Sequence, residues 1–399
     1  MHMHGFRRLV LAALPLLALV LAAPPGGAQG KGTIKIASQS PLSGGQSALG
    51  EGIKLGTQLA IEQQAKALEG MGFKVALVPF DDQAKPDVGV ANAKNLITDG
   101  EILAVIGHLN SGVAIPSSEI YRDAKLAMVS PANTNPIITE RGYPTVSRVC
   151  GRDDVQGVVG AEHAKSLKVK SVFIVHDKTT YGQAVAEFFR DHAKKLGIEV
   201  TGFEGTEEKS NFDPLLTAAK ARKPDMLYFG GIYDQGAPLF RQAAEKGIKA
   251  AFMGPDGMDS SDLAKIGGKA VVGMWYTSAS APASLYPRAK DFAKTYKDKF
   301  GKAPEPYAAE SYDATVVALK AIESAAKAAG GKMPTREAVS AAVRQAKLEG
   351  ITGNIEFDGK GDRRKASYFV LQVGSDDPAK WGENKLIKRL GIDPPGGKN

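Results

Sequence analysis

Five short stretches concentrate the small polar residues that hold ligands through hydroxyl and backbone N–H groups: SPLSGG (40–45), HLNSG (108–112), ANTNP (132–136), KTTYG (178–182) and MGPDG (253–257). In the second, Ser111 and Gly112 precede a helical stretch that begins near Val113. Their N–H groups and the Ser111 hydroxyl face the positive end of a helix dipole, a seat for an anion such as a carboxylate. The competing reading makes Ser111 an N-cap that satisfies only its own helix. In the last stretch Asp256 stands among Gly254, Pro255 and Gly257, a rigid turn that can hold a carboxylate against an ammonium group. The commoner fate of such an Asp is a solvated Asx-turn. An anion seat and a cation seat from distant segments point to a zwitterion, and an amino acid is the obvious one.

Enzyme signatures are scarce. There is no GxSxG elbow, P-loop, HExxH or zinc-like Cys/His spacing, so no catalytic residue, cofactor or metal site is expected. His108, His163, His176 and His192 are dispersed and read as structural. The rival is GEGIKLG (50–56), a GxGxxxG pattern with Asp81 and Asp82 downstream, which would suit an NAD(P)-dependent oxidoreductase. A dinucleotide fingerprint needs its glycines directly after the strand, and here a long loop intervenes; the pattern reads better as helix glycines that allow close packing. The single cysteine, Cys150, reads as a small buried apolar residue.

Short β-branched runs alternate with helical patterns throughout: 33–38, 73–80, 102–107, 126–131, 171–177, 198–203, 225–231 and 270–276. Strands separated by helices of this length predict an α/β class with parallel sheets covered on both faces. Ligands in such sheets bind at the carboxyl ends of the strands, where the five polar stretches lie.

Residues 1–28 read as a secretory signal peptide: Arg7 and Arg8 without an acid, the apolar run LVLAALPLLALVLAA (9–23), and small residues up to a cleavage point near Ala28. Adjacent arginines also fit twin-arginine export, but a plain positive n-region is the preferred reading. With one cysteine, far from the cleavage point, neither an internal disulfide nor a lipid anchor is expected, so the mature chain should be free in the periplasm. The 51 Lys and Arg against 43 Asp and Glu give +8, but the charges are interspersed and no aromatic-basic cluster appears. No nucleic-acid partner is expected.

The segments VIGHLNSG (105–112), SPANTNP (130–136), ERGY (140–143), IVHDKTTYGQ (174–183) and RQAAEKGIKAAFMGPDG (241–257) closely resemble the leucine/isoleucine/valine-binding proteins of bacterial ABC importers, in order from about residue 33 to about 373. The resemblance implies a type I periplasmic-binding-protein fold: two similar Rossmann-like lobes joined by three crossovers and closing on a ligand by hinge motion. It implies lobe one over 32–150 and 277–360, and lobe two over 151–276 and 361–399. Position by position, Ser111 and Thr134 match residues that hold the ligand carboxylate, with Gly112 beside them. Ala132 matches one whose carbonyl faces the ammonium, with Asn133 between it and Thr134. Tyr181 matches the lobe-two aromatic, and Asp256 stands where the best-known members place a glutamate against the ammonium; if the ammonium is held elsewhere, Asp234 or Glu310 are the next acids to consider.

The departures concern the side-chain pocket. Leu49 stands at a position that is aromatic in some leucine binders, and the aromatic after Gly231 is displaced to Tyr233, behind Ile232. Ala84 and Asn110 occupy the places of a family disulfide. The implied function is a monomeric, non-enzymatic substrate-binding protein that delivers a branched-chain or similar aliphatic amino acid to a membrane permease. Runner-up ligands are amides, other amino acids and aromatic carboxylates.

Overall fold

The computed structural model describes residues 1–3 and 30–393. The expected signal peptide, with its apolar run and cleavage point, lies outside the described residues.

The chain forms two main sheets. The first has the order β2-β1-β3-β4-β5 and is wholly parallel. Its strands are β1 (Thr33–Ser40), β2 (Lys74–Asp81), β3 (Ile102–Gly107), β4 (Ala127–Ser130) and β5 (Val146–Arg148). The second comprises β6 (Ser171–His176), β7 (Glu199–Gly205), β8 (Met226–Gly230), β9 (Ala251–Gly254), β10 (Trp275–Ser278), β13 (Ala366–Gln372) and β14 (Lys385–Ile392). Its order is β14-β13-β10-β9-β8-β6-β7, with the last two strands of the chain antiparallel. A small hairpin, β11 (Lys347–Gly350) and β12 (Gly353–Glu356), stands apart. Central β3 and β8 are buried along their whole length, whereas edge β2 and β7 are half-exposed. That is the burial expected of parallel strands covered on both faces.

The chain passes between the lobes three times: between β5 and β6, after β10, and between β12 and β13. Helices Ala308–Ala328 and Arg336–Arg344 return to pack on the first sheet, and the former also lies along helix Ser47–Gln64. Glycines make that approach possible. A Cβ on Gly56 would come within 2.2 Å of the Ala308 carbonyl oxygen, and one on Gly50 within 1.8 Å of the Pro41 carbonyl oxygen. The GxGxxxG pattern is thus a packing face inside a helix.

A buried ion network ties the first passage to the third. Arg148 Nε meets Asp362 Oδ1 at 2.5 Å, and Arg152 Nη1 meets Asp362 Oδ2 at 2.8 Å. Arg148 also donates to the carbonyls of Asn133 and Asn135, each at 2.9 Å. Cys150 is buried between these arginines in sequence, and burial pushes its thiol pKa up.

Two expectations are corrected. Residues 270–276 are not one strand: a 3-10 turn occupies Gly268–Val271, Gly273 turns the chain at φ +87°, and β10 begins only at Trp275. The helix expected near Val113 starts at Ser111, so Asn110 is the N-cap and Ser111 is already inside the helix.

Candidate functional site

The polar stretches converge where the lobes meet. They frame a cavity lined by Leu49, Leu109, Asn110, Ala132, Tyr181, Ile232, Asp256, Gly257 and Tyr307. Its volume is ≈ 20 Å³ for the centre of a water-sized sphere, room for about one water. The lobes therefore stand closed, and anything larger enters by hinge opening. Lobe one supplies Leu49 near the start of helix Ser47–Gln64, the turn after β3 and the turn after β4. Lobe two supplies Tyr181 from the first turn of helix Thr180–Lys195, Ile232 after β8, and Asp256 from the turn after β9. The helix carrying Tyr181 is fixed by its N-cap, Thr179, whose hydroxyl accepts from the Gly182 N–H at 2.9 Å.

Asp256 is fully buried, not the solvated Asx-turn acid that its sequence also allowed. Oδ1 accepts from the Tyr181 hydroxyl at 2.5 Å and from Gln156 Nε2 at 2.9 Å; Oδ2 accepts from the Tyr307 hydroxyl at 2.8 Å. Gln156 Oε1 also accepts from the Asp256 N–H at 2.8 Å, so one amide holds both backbone and side chain. Every donor is neutral, and among the described residues no cation is paired with this carboxylate. Burial raises the Asp256 pKa above the ordinary carboxylate range, against the pull of these three donors. Asp153 lies behind it. Gln156 Nε2 also reaches Asp153 Oδ1 at 3.2 Å, while Asp153 Oδ2 is buried without a partner. Burial first, and then repulsion from Asp256, push Asp153 well above its usual value.

Of the residues singled out from sequence, Leu49, Ala132, Tyr181 and Asp256 line the cavity. Ser111 and Thr134 are buried, one residue after lining residue Asn110 and two after lining residue Ala132 respectively. Among the described residues the Thr134 hydroxyl makes no well-formed hydrogen bond, although it lies toward Asp153, while Ser111 Oγ accepts weakly from the Asn135 N–H at 3.4 Å. Gly112 lies at a lobe contact, since a Cβ there would lie 3.3 Å from Thr180 Oγ1.

The Asn133 side chain is already engaged. Its Oδ1 accepts from the His108 N–H and the Ser130 hydroxyl, and its Nδ2 donates to the Leu109 carbonyl. It braces the two polar turns instead of facing the cavity. Tyr233 is buried outside the lining, where Ile232 takes the place expected of an aromatic. Asp234 pairs with Lys209 at 2.8 Å and Glu310 accepts from Tyr286 at 2.7 Å; neither lines the cavity.

A family model described as periplasmic binding protein matches residues 33–378. The chain belongs to the periplasmic binding protein family. Its relatives include a Leu/Ile/Val-binding protein homolog from Brucella abortus, 35% identical over 87% of this chain and 92% of the relative. An amino acid binding protein from Pseudomonas aeruginosa is 34% identical over 87% of this chain and 91% of that protein. Among solved structures, a leucine binding protein from Thermotoga maritima superposes with a TM-score of 0.81 at 32% identity, covering 91% of this chain and 99% of that one. The two-lobed architecture of this periplasmic binding protein is therefore the type I fold.

Sequence reasoning missed Asp153, Gln156 and Tyr307 in this binding protein. Asp153 opens helix Asp153–Ser166 beside Asp154 and looks like an ordinary first-turn acid. Tyr307 sits at φ +68° just before helix Ala308–Ala328, a backbone state that no local residue pattern announces. The proline-flanked PEPY (304–307) is the one available clue to a special turn there. Among the described residues no helix is long and apolar enough to cross a membrane, and no cluster of His, Cys, Asp and Glu is placed to hold a metal.

Proposed function

We propose that this protein captures a branched-chain or similar aliphatic amino acid between its lobes and presents it to an ABC permease, without catalysing a reaction. One observation carries the reading: an uncompensated buried carboxylate, Asp256, facing a cavity whose other walls are largely apolar. A ligand ammonium supplies the missing charge, and the apolar walls take an aliphatic side chain. The α-carboxylate belongs at Ser111, Gly112 and Thr134, at the start of helix Ser111–Asp123, with the Ala132 carbonyl turned to the ammonium. The leucine-binding and Leu/Ile/Val-binding relatives support the ligand class. An aromatic carboxylate without an amino group would leave Asp256 unpaired, which favours the amino acid.

The same reading places the mature chain in the periplasm as a monomer, exported by the segment ending near Ala28 and without a lipid anchor. Since β10 (Trp275–Ser278) belongs to the second sheet, the expected boundary at 277 moves past it: lobe one then spans 32–150 and about 279–360, and lobe two 151–278 and 361–399. Calorimetric titration of unfolded and refolded protein against leucine, isoleucine, valine and NAD(P) tests the function. Heat with at least one amino acid is expected. Heat with NAD(P) alone would overturn the reading in favour of an oxidoreductase.

A further inference from the structure

A run of hydrogen bonds across the lobe boundary leaves one polar atom of the cavity wall without a partner. The run starts at Lys209, whose ammonium meets Asp234 Oδ2 at 2.8 Å. Asp234 is thereby an ionised acceptor, so the group facing its Oδ1 must donate, and Gln46 Nε2 does so at 3.3 Å. That orientation turns Gln46 Oε1 toward Asn110, whose Nδ2 donates to it at 2.8 Å. Each amide is oriented by the one before it, and Asn110 Oδ1 is the acceptor left over. It is buried with no hydrogen-bond partner, on a residue that lines the cavity. Asn110 is also the N-cap of helix Ser111–Asp123, where an asparagine ordinarily spends this oxygen on a backbone N–H two or three residues on. Here it makes no capping bond.

A buried acceptor without a partner penalises whatever leaves it so and rewards a donor that reaches it. The neighbouring walls, Leu49, Leu109 and Ile232, offer no donor. We propose that Asn110 is a specificity-determining residue that selects amino acids carrying a hydroxyl on a short branched side chain, as in threonine, over their purely aliphatic isosteres, as in valine. This rests on the cavity being an amino-acid site, and within that reading it ranks a short branched side chain bearing a hydroxyl above a purely aliphatic one of the same size. Threonine and valine have nearly the same shape, so their ratio isolates the hydrogen bond from packing. A site built to hydrogen-bond a ligand hydroxyl discriminates strongly against the analogue that lacks it.

The test is titration calorimetry of refolded protein with L-threonine and L-valine, on the wild type and on Asn110→Leu. Wild type should bind threonine roughly tenfold more tightly than valine. Asn110→Leu should reverse that order, because the methyl groups of valine then meet an apolar wall. A merely structural role for Asn110 in the run to Gln46 would weaken both ligands alike and leave the ratio unchanged, which would overturn the inference. Wild-type valine binding as tight as threonine would overturn it without any variant, while leaving the amino-acid reading intact. Binding of neither would sink that reading and this inference with it.

Discussion

Asp153 and Asp256 share a single amide: Gln156 Nε2 lies 3.2 Å from the first carboxylate and 2.9 Å from the second. Two buried acids so joined, with no cation bonded to either among the described residues, resist ionising together. Arg148, the nearest guanidinium to act on Asp153, is already engaged with Asp362. The other groups facing the pair are the hydroxyls of Tyr181, Tyr307 and Thr134, the Cys150 thiol, and the acids Asp154 and Asp259.

Ligand binding should therefore release protons. Burial makes both carboxyls hold protons to higher pH than ordinary carboxylates do, and a bound ammonium favours their ionised forms. Titration in two buffers of different ionisation enthalpy should show net release, with affinity rising as pH rises. Net uptake, or affinity independent of pH, would contradict the amino-acid geometry.

Ligand-free stability should run the other way. Burial pushes Asp259 and Glu310 up to about 7, and both join Asp153 and Asp256 in binding protons more tightly when folded than unfolded. Their contribution is full below the ordinary carboxylate range of about 4 and is lost as pH climbs through the raised values. The melting temperature of ligand-free protein should fall between about pH 5 and about pH 8. Asp259→Asn should flatten that slope.

Asp256→Asn keeps shape while removing charge. Leaving the ligand ammonium unpaired in a closed cavity costs about 3 to 5 kcal/mol, so affinity should drop by roughly two to nearly four orders of magnitude. Asp256→Glu should retain far more. An unchanged dissociation constant for Asp256→Asn would place the ammonium elsewhere.

Asp362 behaves oppositely to the site acids. Burial alone would raise its pKa, but Arg148 and Arg152 outweigh that and hold it below the usual range. Its contribution is present above about pH 4 and is lost on acidification. Asp362→Asn leaves Arg148 a buried guanidinium without a carboxylate at the first lobe passage, while Arg152 keeps Glu140 and Asp154. Urea unfolding at neutral pH should register a loss of about 3 kcal/mol or more.

Cys150 should be silent in the native state. It is buried, its thiol is pushed away from the thiolate, and among the described residues its one hydrogen bond goes to the Asn133 carbonyl at 3.6 Å. Thiol reagents should label it only on unfolding, and reductant should leave the melting temperature unchanged. Fast labelling of folded protein would show that the first passage opens.

The sequence by itself determined the alternation of strands and helices, because a fully covered parallel strand must be apolar along its length and a turn residue must relieve it. It also determined that small polar turns follow β1, β3, β4 and β9, and those turns are where the lobes meet. The surroundings of each site residue, and the direction in which burial moves its pKa, come instead from packing between distant segments. Asp256 looks like a surface turn acid until Tyr307, from the returning loop, and Gln156, from another helix, enclose it. Asn133 carries the composition of a ligand contact yet is spent bracing two turns, and Asn110, at a place read only for its missing disulfide, holds the free acceptor. Local sequence encodes which atoms can donate or accept. Which of them remain unpaired depends on partners that approach from distant segments, and only packing sets those distances.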